Sequence, residues 1–139
     1  MQLVSLYKEK DISVINKYNK ENWLIWNPNE YSIKDFFNKL KETTDIVVSV
    51  RAHGVLLSSI IGIPSISIII EPKLKNIAEL LPNSVKVLDN LNDLELLENT
   101  LISINNDPLI LKKLKDDVSI QKEKAKKMII DLEEVLNEY

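Results

Sequence analysis

Short β-branched runs separated by segments of helical period set the tightest limit on what this chain can fold into. Asp45-Ile46-Val47-Val48-Ser49-Val50, Ser65 to Ile70 and Val85 to Leu88 are short apolar, β-branched runs, read as strands of a parallel sheet covered on both faces. Helical segments lie between them, and that alternation is the signature of βαβ units around a parallel sheet. The expected fold class is α/β, with helices on both faces of the sheet.

Local punctuation fixes the remaining boundaries. Met1 to Tyr7 holds a candidate strand in Leu3-Val4-Ser5-Leu6-Tyr7, followed by a short helix capped by Asp11 and running to about Tyr18. Trp23-Leu24-Ile25-Trp26 reads as a strand closed by the turn Asn27-Pro28-Asn29. Ser32 offers an N-cap to a helix reaching Thr43, whose Ile33, Phe36, Phe37 and Leu40 recur at helical spacing. After the strand ending at Val50 comes a polar turn, Arg51-Ala52-His53-Gly54, then an apolar helix from Val55 to Ile61 stopped by Gly62-Ile63-Pro64. Pro72 is placed as the first residue of a helix carrying Leu74, Ile77, Ala78, Leu80 and Leu81, which Pro82-Asn83 breaks. Asn92 or Asp93 caps a helix to about Ile104. Pro108 to Tyr139 is helical and amphipathic, with an apolar stripe of Leu111, Leu114, Val118, Ala125, Met128, Ile129, Leu132 and Leu136 and an expected break near Ser119. No repeat or linker divides the chain, so one lobe is expected over 1–139, with sheet and crossover helices to about 105 and C-terminal helices from about 108.

Composition removes whole classes of chemistry. With no cysteine there is no thiolate nucleophile, disulfide or cysteine-based metal site, and a single histidine argues against a protein metal centre, so neither metal nor cofactor is expected. Two glycines are too few for a glycine-rich phosphate loop. A net charge of −3 gives no cationic face for nucleic acid. The N-terminus lacks the basic start, long apolar stretch and cleavage site of a signal peptide, and no apolar run is long enough to span a bilayer.

In an open parallel sheet, ligands bind beyond the carboxyl ends of the strands, where helix N-termini converge. Two segments should reach that edge: Arg51-Ala52-His53-Gly54, and Glu71-Pro72-Lys73. Together they hold the only arginine, the only histidine and one of the two glycines. Arginine at a helix N-terminus adds a bidentate donor to amides that already favour an anion, and Gly54 leaves those amides accessible. His53 is the natural proton donor or acceptor near neutrality. Lys73 would add a second cation, and Glu71 would orient a cation or a sugar hydroxyl. The same residues also admit a purely structural reading, with Arg51 capping a neighbouring helix, His53 a satisfied imidazole and Glu71 with Lys73 a surface ion pair. Trp23 and Trp26 more often fill a core or interface than stack on a sugar. The run Lys122 to Lys127 reads as a solvated helix face.

The order Asp45-Ile-Val-Val-Ser-Val-Arg51-Ala-His53-Gly54, then Gly62-Ile-Pro64, then Ile68-Ile-Ile-Glu71-Pro-Lys73 resembles the C-terminal lobe of the polysaccharide pyruvyl transferases. Those enzymes carry an Arg-x-His-(Gly/Ala) turn after a strand, a helix ending in Gly-(Ile/Val)-Pro, and a strand with lysine soon after it. The resemblance spans roughly residues 10 to 105 in element order and is specific over 45 to 73; related sugar-nucleotide epimerases and transferases share a similar turn.

The resemblance implies two Rossmann-like lobes, similar to the GT-B glycosyltransferases, and transfer of pyruvate from phosphoenolpyruvate to two hydroxyls of a sugar as a ketal. Carried over, Arg51 binds the carboxylate or phosphate of the donor, and His53 serves as acid or base or holds the departing phosphate. Gly54, Glu71 and Lys73 supply donor or acceptor contacts. It also implies a cytoplasmic location, including the inner face of the membrane. Two alternatives stay open: a nucleotide-sugar lobe of a glycosyltransferase or epimerase, and a non-catalytic degenerate lobe. Against the two-lobed pattern an N-terminal lobe is missing, so the chain is expected to fold but to be inactive alone. The C-terminal stripe is then expected to meet that lobe or a second copy of the chain.

Overall fold

A computed structural model of the chain describes residues 2–6, 8–17, 23–90 and 92–137. Their elements alternate from β1 (Leu3–Ser5), α1 (Lys8–Lys17), β2 (Trp23–Ile25) and α2 (Ile33–Thr43) to β3 (Val47–Ser49), α3 (Ala52–Ile61), β4 (Ser65–Ile68) and α4 (Pro72–Leu80). They end with β5 (Val85–Leu88), α5 (Leu94–Asn105) and α6 (Ile110–Asn137). All the strand pairing is parallel, and the fold is α/β as expected. The chain forms two compact units, Met1–Thr44 and Asp45–Tyr139.

In the first unit β1 pairs with β2, Val4 opposite Leu24, and Trp26 N–H extends the ladder by donating to the Ser5 carbonyl at 2.9 Å. Ile15, Leu24, Phe36 and Leu40 are the buried apolar side chains. Asp11 falls in the first turn of α1 rather than at its cap, and accepts a hydrogen bond from the buried Ser5 hydroxyl at 2.8 Å. Ser32 is the N-cap of α2: its extended backbone lets the hydroxyl accept from Asp35 N–H at 3.1 Å. Tyr31 stacks on Phe36 with ring centroids 6.2 Å apart and donates its hydroxyl to the Ile25 carbonyl. Burial, with the Glu30 charge beside it, raises the Tyr31 pKa.

In the second unit β4 lies between β3 and β5. Residues paired in parallel strands point to the same face, so the register Ser65 with Val85 and Ile66 with Lys86 sorts the sheet into two sides. On one, Val85 joins Ala52 and Val55 of α3 and Leu74, Ile77, Ala78 and Leu81 of α4 and its end. On the other, Ile66, Ile68 and Leu88 join Ile104 of α5 and Ile110 of α6. Helices therefore cover both faces, and β4 is buried along its whole length, so that even its alternating serines, Ser65 and Ser67, face protein rather than water.

The helix ends follow the sequence punctuation. Gly62 takes the left-handed conformation at φ 85°, and its N–H with that of Ile63 closes the last turn of α3. Pro72 opens α4, and Asp93, not Asn92, caps α5 through Leu96 N–H at 2.8 Å. Before α6, Asp107 accepts from Leu109 N–H at 2.9 Å and from the Lys113 ammonium at 2.6 Å; that ammonium is the main reason its carboxyl is held below the usual range.

Three expectations change. The strands are shorter than their apolar runs, because Val50, Ile69 and Ile70 already belong to the crossings. Helix α3 begins at Ala52, so His53 and Gly54 are helical rather than part of a turn. Helix α6 runs unbroken through Ser119, since no proline or glycine interrupts residues 110 to 137 and serine costs a helix interior only a few tenths of a kcal/mol. Tyr7, Tyr18 and Tyr139, ends of expected elements, lie outside the described residues.

Candidate functional site

The carboxyl edge of the three-stranded sheet is where both crossovers of the second unit leave their strands. Parallel pairing of β3 with β4, Ser49 opposite Ser67, places the start of α3 and the start of α4 at this one edge. Arg51, His53, Glu71 and Lys73 are all exposed there, and Gly54 is half-buried. Arg51 is the N-cap of α3, His53 lies in its first turn, Glu71 is the N-cap of α4 and Lys73 lies in its first turn.

The two helices differ from α2 and α5 in how they start. Ser32 and Asp93 satisfy first-turn amides with their own side chains, whereas neither Arg51 nor Glu71 makes a side-chain cap bond. Gly54 N–H and Leu74 N–H turn back to the Arg51 and Glu71 carbonyls at 3.0 and 3.1 Å, Pro72 carries no N–H, and the helix dipole makes the rest of each first turn a favourable place for negative charge. Two such ends thus stand beside Arg51 and Lys73, with His53 available to move a proton. This is an arrangement suited to a small anion bearing carboxylate or phosphate oxygens.

Ser49 is a site residue that the sequence pattern did not point to. Its hydroxyl donates to the Arg51 carbonyl at 2.9 Å and accepts from Arg51 N–H at 3.1 Å, fixing the bend between β3 and α3. A methyl group at Gly54 would collide with the Ser49 hydroxyl and stand 3.0 Å from its Cβ. Gly54 thus has a reason inside the fold: it lets the first turn of α3 sit directly against the end of β3. The available signal was a serine as last residue of a strand with glycine five positions on. Ser67 shares Ser49's face; it and Ser65 are wholly buried, and neither hydroxyl has a hydrogen-bond partner among the described residues.

The tryptophans belong to the first unit. Trp23 and Trp26 are half-buried, with buried indole nitrogens that have no partner among the described residues. Trp26 lines a shallow cavity of about 200 Å³ with Leu6, Lys8, Glu9, Asn27 and Pro28.

A family model described as polysaccharide pyruvyl transferase matches residues 1–72. The chain belongs to that family. The match takes in the whole first unit, the β3–α3–β4 crossover and Arg51, His53, Gly54 and Glu71, and it ends one residue before Lys73. The family is one of transferases, and its description points to a pyruvyl donor and a sugar acceptor. No curated protein and no solved structure matches the chain. Among the described residues no group of three or more His, Asp or Glu side chains is placed to hold a metal, and no helix is long and apolar enough to cross a membrane.

Proposed function

We propose that this chain is the donor-binding lobe of a polysaccharide pyruvyl transferase, binding phosphoenolpyruvate at the carboxyl edge of the β3-β4-β5 sheet. The observation that carries the reading is the pair of helix N-termini without side-chain caps, set beside Arg51, His53 and Lys73 at one sheet edge. The Arg51 guanidinium takes the donor's carboxylate or phosphate in a bidentate contact. First-turn amides of α3, brought close by Gly54, take further anionic oxygens. His53 acts as general acid or base as the two acceptor hydroxyls add to the enol carbon, or holds the phosphate as it departs. Glu71 and Lys73 make secondary contacts to donor or acceptor. The 139 residues serve as one lobe, its partner lobe completing the cleft; the chain alone binds donor without turning it over. The reaction takes place in the cytoplasm or at the inner face of the membrane, on a sugar of a surface polysaccharide.

Calorimetric titration of phosphoenolpyruvate into the wild-type chain and into Arg51→Ala tests the assignment. Loss of a charge-assisted contact should weaken binding roughly ten- to a hundredfold. Equal affinity of the two proteins would sink it. Uridine or guanosine diphosphate binding in place of phosphoenolpyruvate would move the chain to the nucleotide-sugar reading, and measurable pyruvate transfer by the chain alone would overturn its role as half of a cleft.

A further inference from the structure

Helix α6 has two halves with one continuous apolar face. Ile110, Leu114 and Val118 of that face pack into the second unit, and Gln121 still donates to the Leu80 carbonyl at 2.8 Å. From Lys122 onward every described side chain is exposed, although Ala125, Met128, Ile129, Leu132 and Leu136 prolong the same stripe at spacings of three and four. Met128, Ile129, Leu132 and Leu136 are 65%, 57%, 57% and 70% exposed. A contiguous row of large exposed apolar side chains of this kind marks an interaction surface.

The charges flanking the stripe identify what covers it. Its N-terminal part is basic, with Lys122, Lys124, Lys126 and Lys127 against one acid, Glu123, which pairs with Lys126 at 2.8 Å, and its C-terminal part is acidic, with Asp131, Glu133 and Glu134. On a helical wheel Lys124 and Asp131 border one side of the stripe, while Lys122 and Glu133 border the other. Two copies laid antiparallel about a point between Lys127 and Met128 bring Lys124 opposite the second copy's Asp131 and Lys122 opposite its Glu133. Each pair then occurs twice. A parallel, in-register pair would instead set basic segment against basic segment and acidic against acidic.

We infer that the exposed half of α6 is a self-association surface, on which a second copy of this chain binds antiparallel to form a two-helix seam. Sedimentation equilibrium from about 5 to about 500 µM should show a monomer–dimer equilibrium that weakens with added salt. The double change Lys122→Glu with Lys124→Glu sets acid against acid in each of these pairs and should weaken dimerisation at least about tenfold. Adding Asp131→Lys and Glu133→Lys restores opposite charges and should restore the dimer; these exposed changes leave the helix content by circular dichroism unaltered. The orientation is read from a nitroxide on Asn137→Cys, a clean label because the chain has no other cysteine. Antiparallel seating puts the two labels about 30 Å apart, given 1.5 Å per residue from the centre of the seam. A concentration-independent monomer, an unrestored fourfold variant or labels about 10 Å apart would each overturn the inference.

Discussion

The crossover from β3 through α3 to β4 has glycine at both ends, whereas the crossover from β4 through α4 to β5 opens on proline and closes on a carboxyl group brought from α6. In the first, Gly54 lets the helix start touch Ser49 and Gly62 turns the chain through a left-handed conformation. In the second, Pro72 sets the first helical residue, and Asp117, 2% exposed, accepts from Asn83 N–H, Asn83 Nδ2, Ser84 N–H and the Ser84 hydroxyl at 2.8 to 3.0 Å. Both join adjacent parallel strands over the same face. The first is specified within its own sequence, while the second depends on a residue more than thirty positions on. The anchored half of α6 is therefore part of the sheet's structure, in contrast to the half beyond Gln121.

The largest expected effect comes from breaking that remote tie. Asp117→Ala leaves the buried Ser84 hydroxyl without its Asp117 acceptor and Ser84 N–H with only the longer bond to the Leu81 carbonyl at 3.3 Å, and should cost about 2–3 kcal/mol in urea unfolding. The same change should leave the β3–α3 bend intact, so that donor affinity falls only as far as the folded fraction does. A loss below about 1 kcal/mol would mean that the turn at Pro82 to Ser84 holds itself.

This contrast also explains how far the sequence could be read. Ser32, Gly62, Pro72 and Asp93 were legible as helix ends because capping is a local matter, decided by side chains and backbone within a turn or two. The apolar runs around Val48, Ile66 and Val87 announced parallel strands, although only the middle one is buried throughout; Val48 and Val87 lie exposed on the outer strands. Asp117 was not legible: inside Lys115-Asp116-Asp117-Val118 it looks like any solvated acid, and only the tertiary fold brings the 82–84 turn to it. Ser49 was harder to read than the caps, since its one signal, a glycine five positions on, becomes telling only when the start of α3 is seen to rest against its hydroxyl. At the site, chain order located Arg51, His53, Glu71 and Lys73 at one sheet edge, because strand-then-helix connectivity dictates the edge. The missing caps have two causes: arginine has no acceptor to offer an amide, so Arg51 could not cap, whereas the absence of a Glu71 cap rests on side-chain conformation, which chain order does not show.

A smaller effect, but one with a decisive sign, attaches to Gly54. In an ordinary exposed helix, replacing glycine by alanine stabilises by about 0.5–1 kcal/mol. Here the added methyl meets the Ser49 hydroxyl, and the collision should outweigh that gain, leaving Gly54→Ala destabilised by about 1–2 kcal/mol. Ser49→Gly in the same chain removes the obstacle, so a double-mutant cycle should show favourable coupling. A stabilised single variant would show that α3 does not press on β3, and would erase the first crossover's distinction.

The smallest effect is expected at the other end of α3. Gly62 sits at φ 85°, and a methyl group added there would meet no heavy atom within 4 Å, so its requirement is one of backbone conformation and not of space. Gly62→Ala should cost about 1 kcal/mol, the ordinary penalty for an L-residue in the left-handed region. Gly62→Asn should cost less, because asparagine tolerates that region. Neither loss should respond to changes at Ser49, since a conformational penalty at one residue has no partner to couple with. Thermal unfolding of the two variants, alone and with Ser49→Gly, separates the ends of the helix: coupling at Gly54 and strict additivity at Gly62. Coupling at Gly62 would mean that α3 shifts as a body when its C-terminal turn is strained, and the contact at Ser49 would then owe its closeness to Gly62 as much as to Gly54.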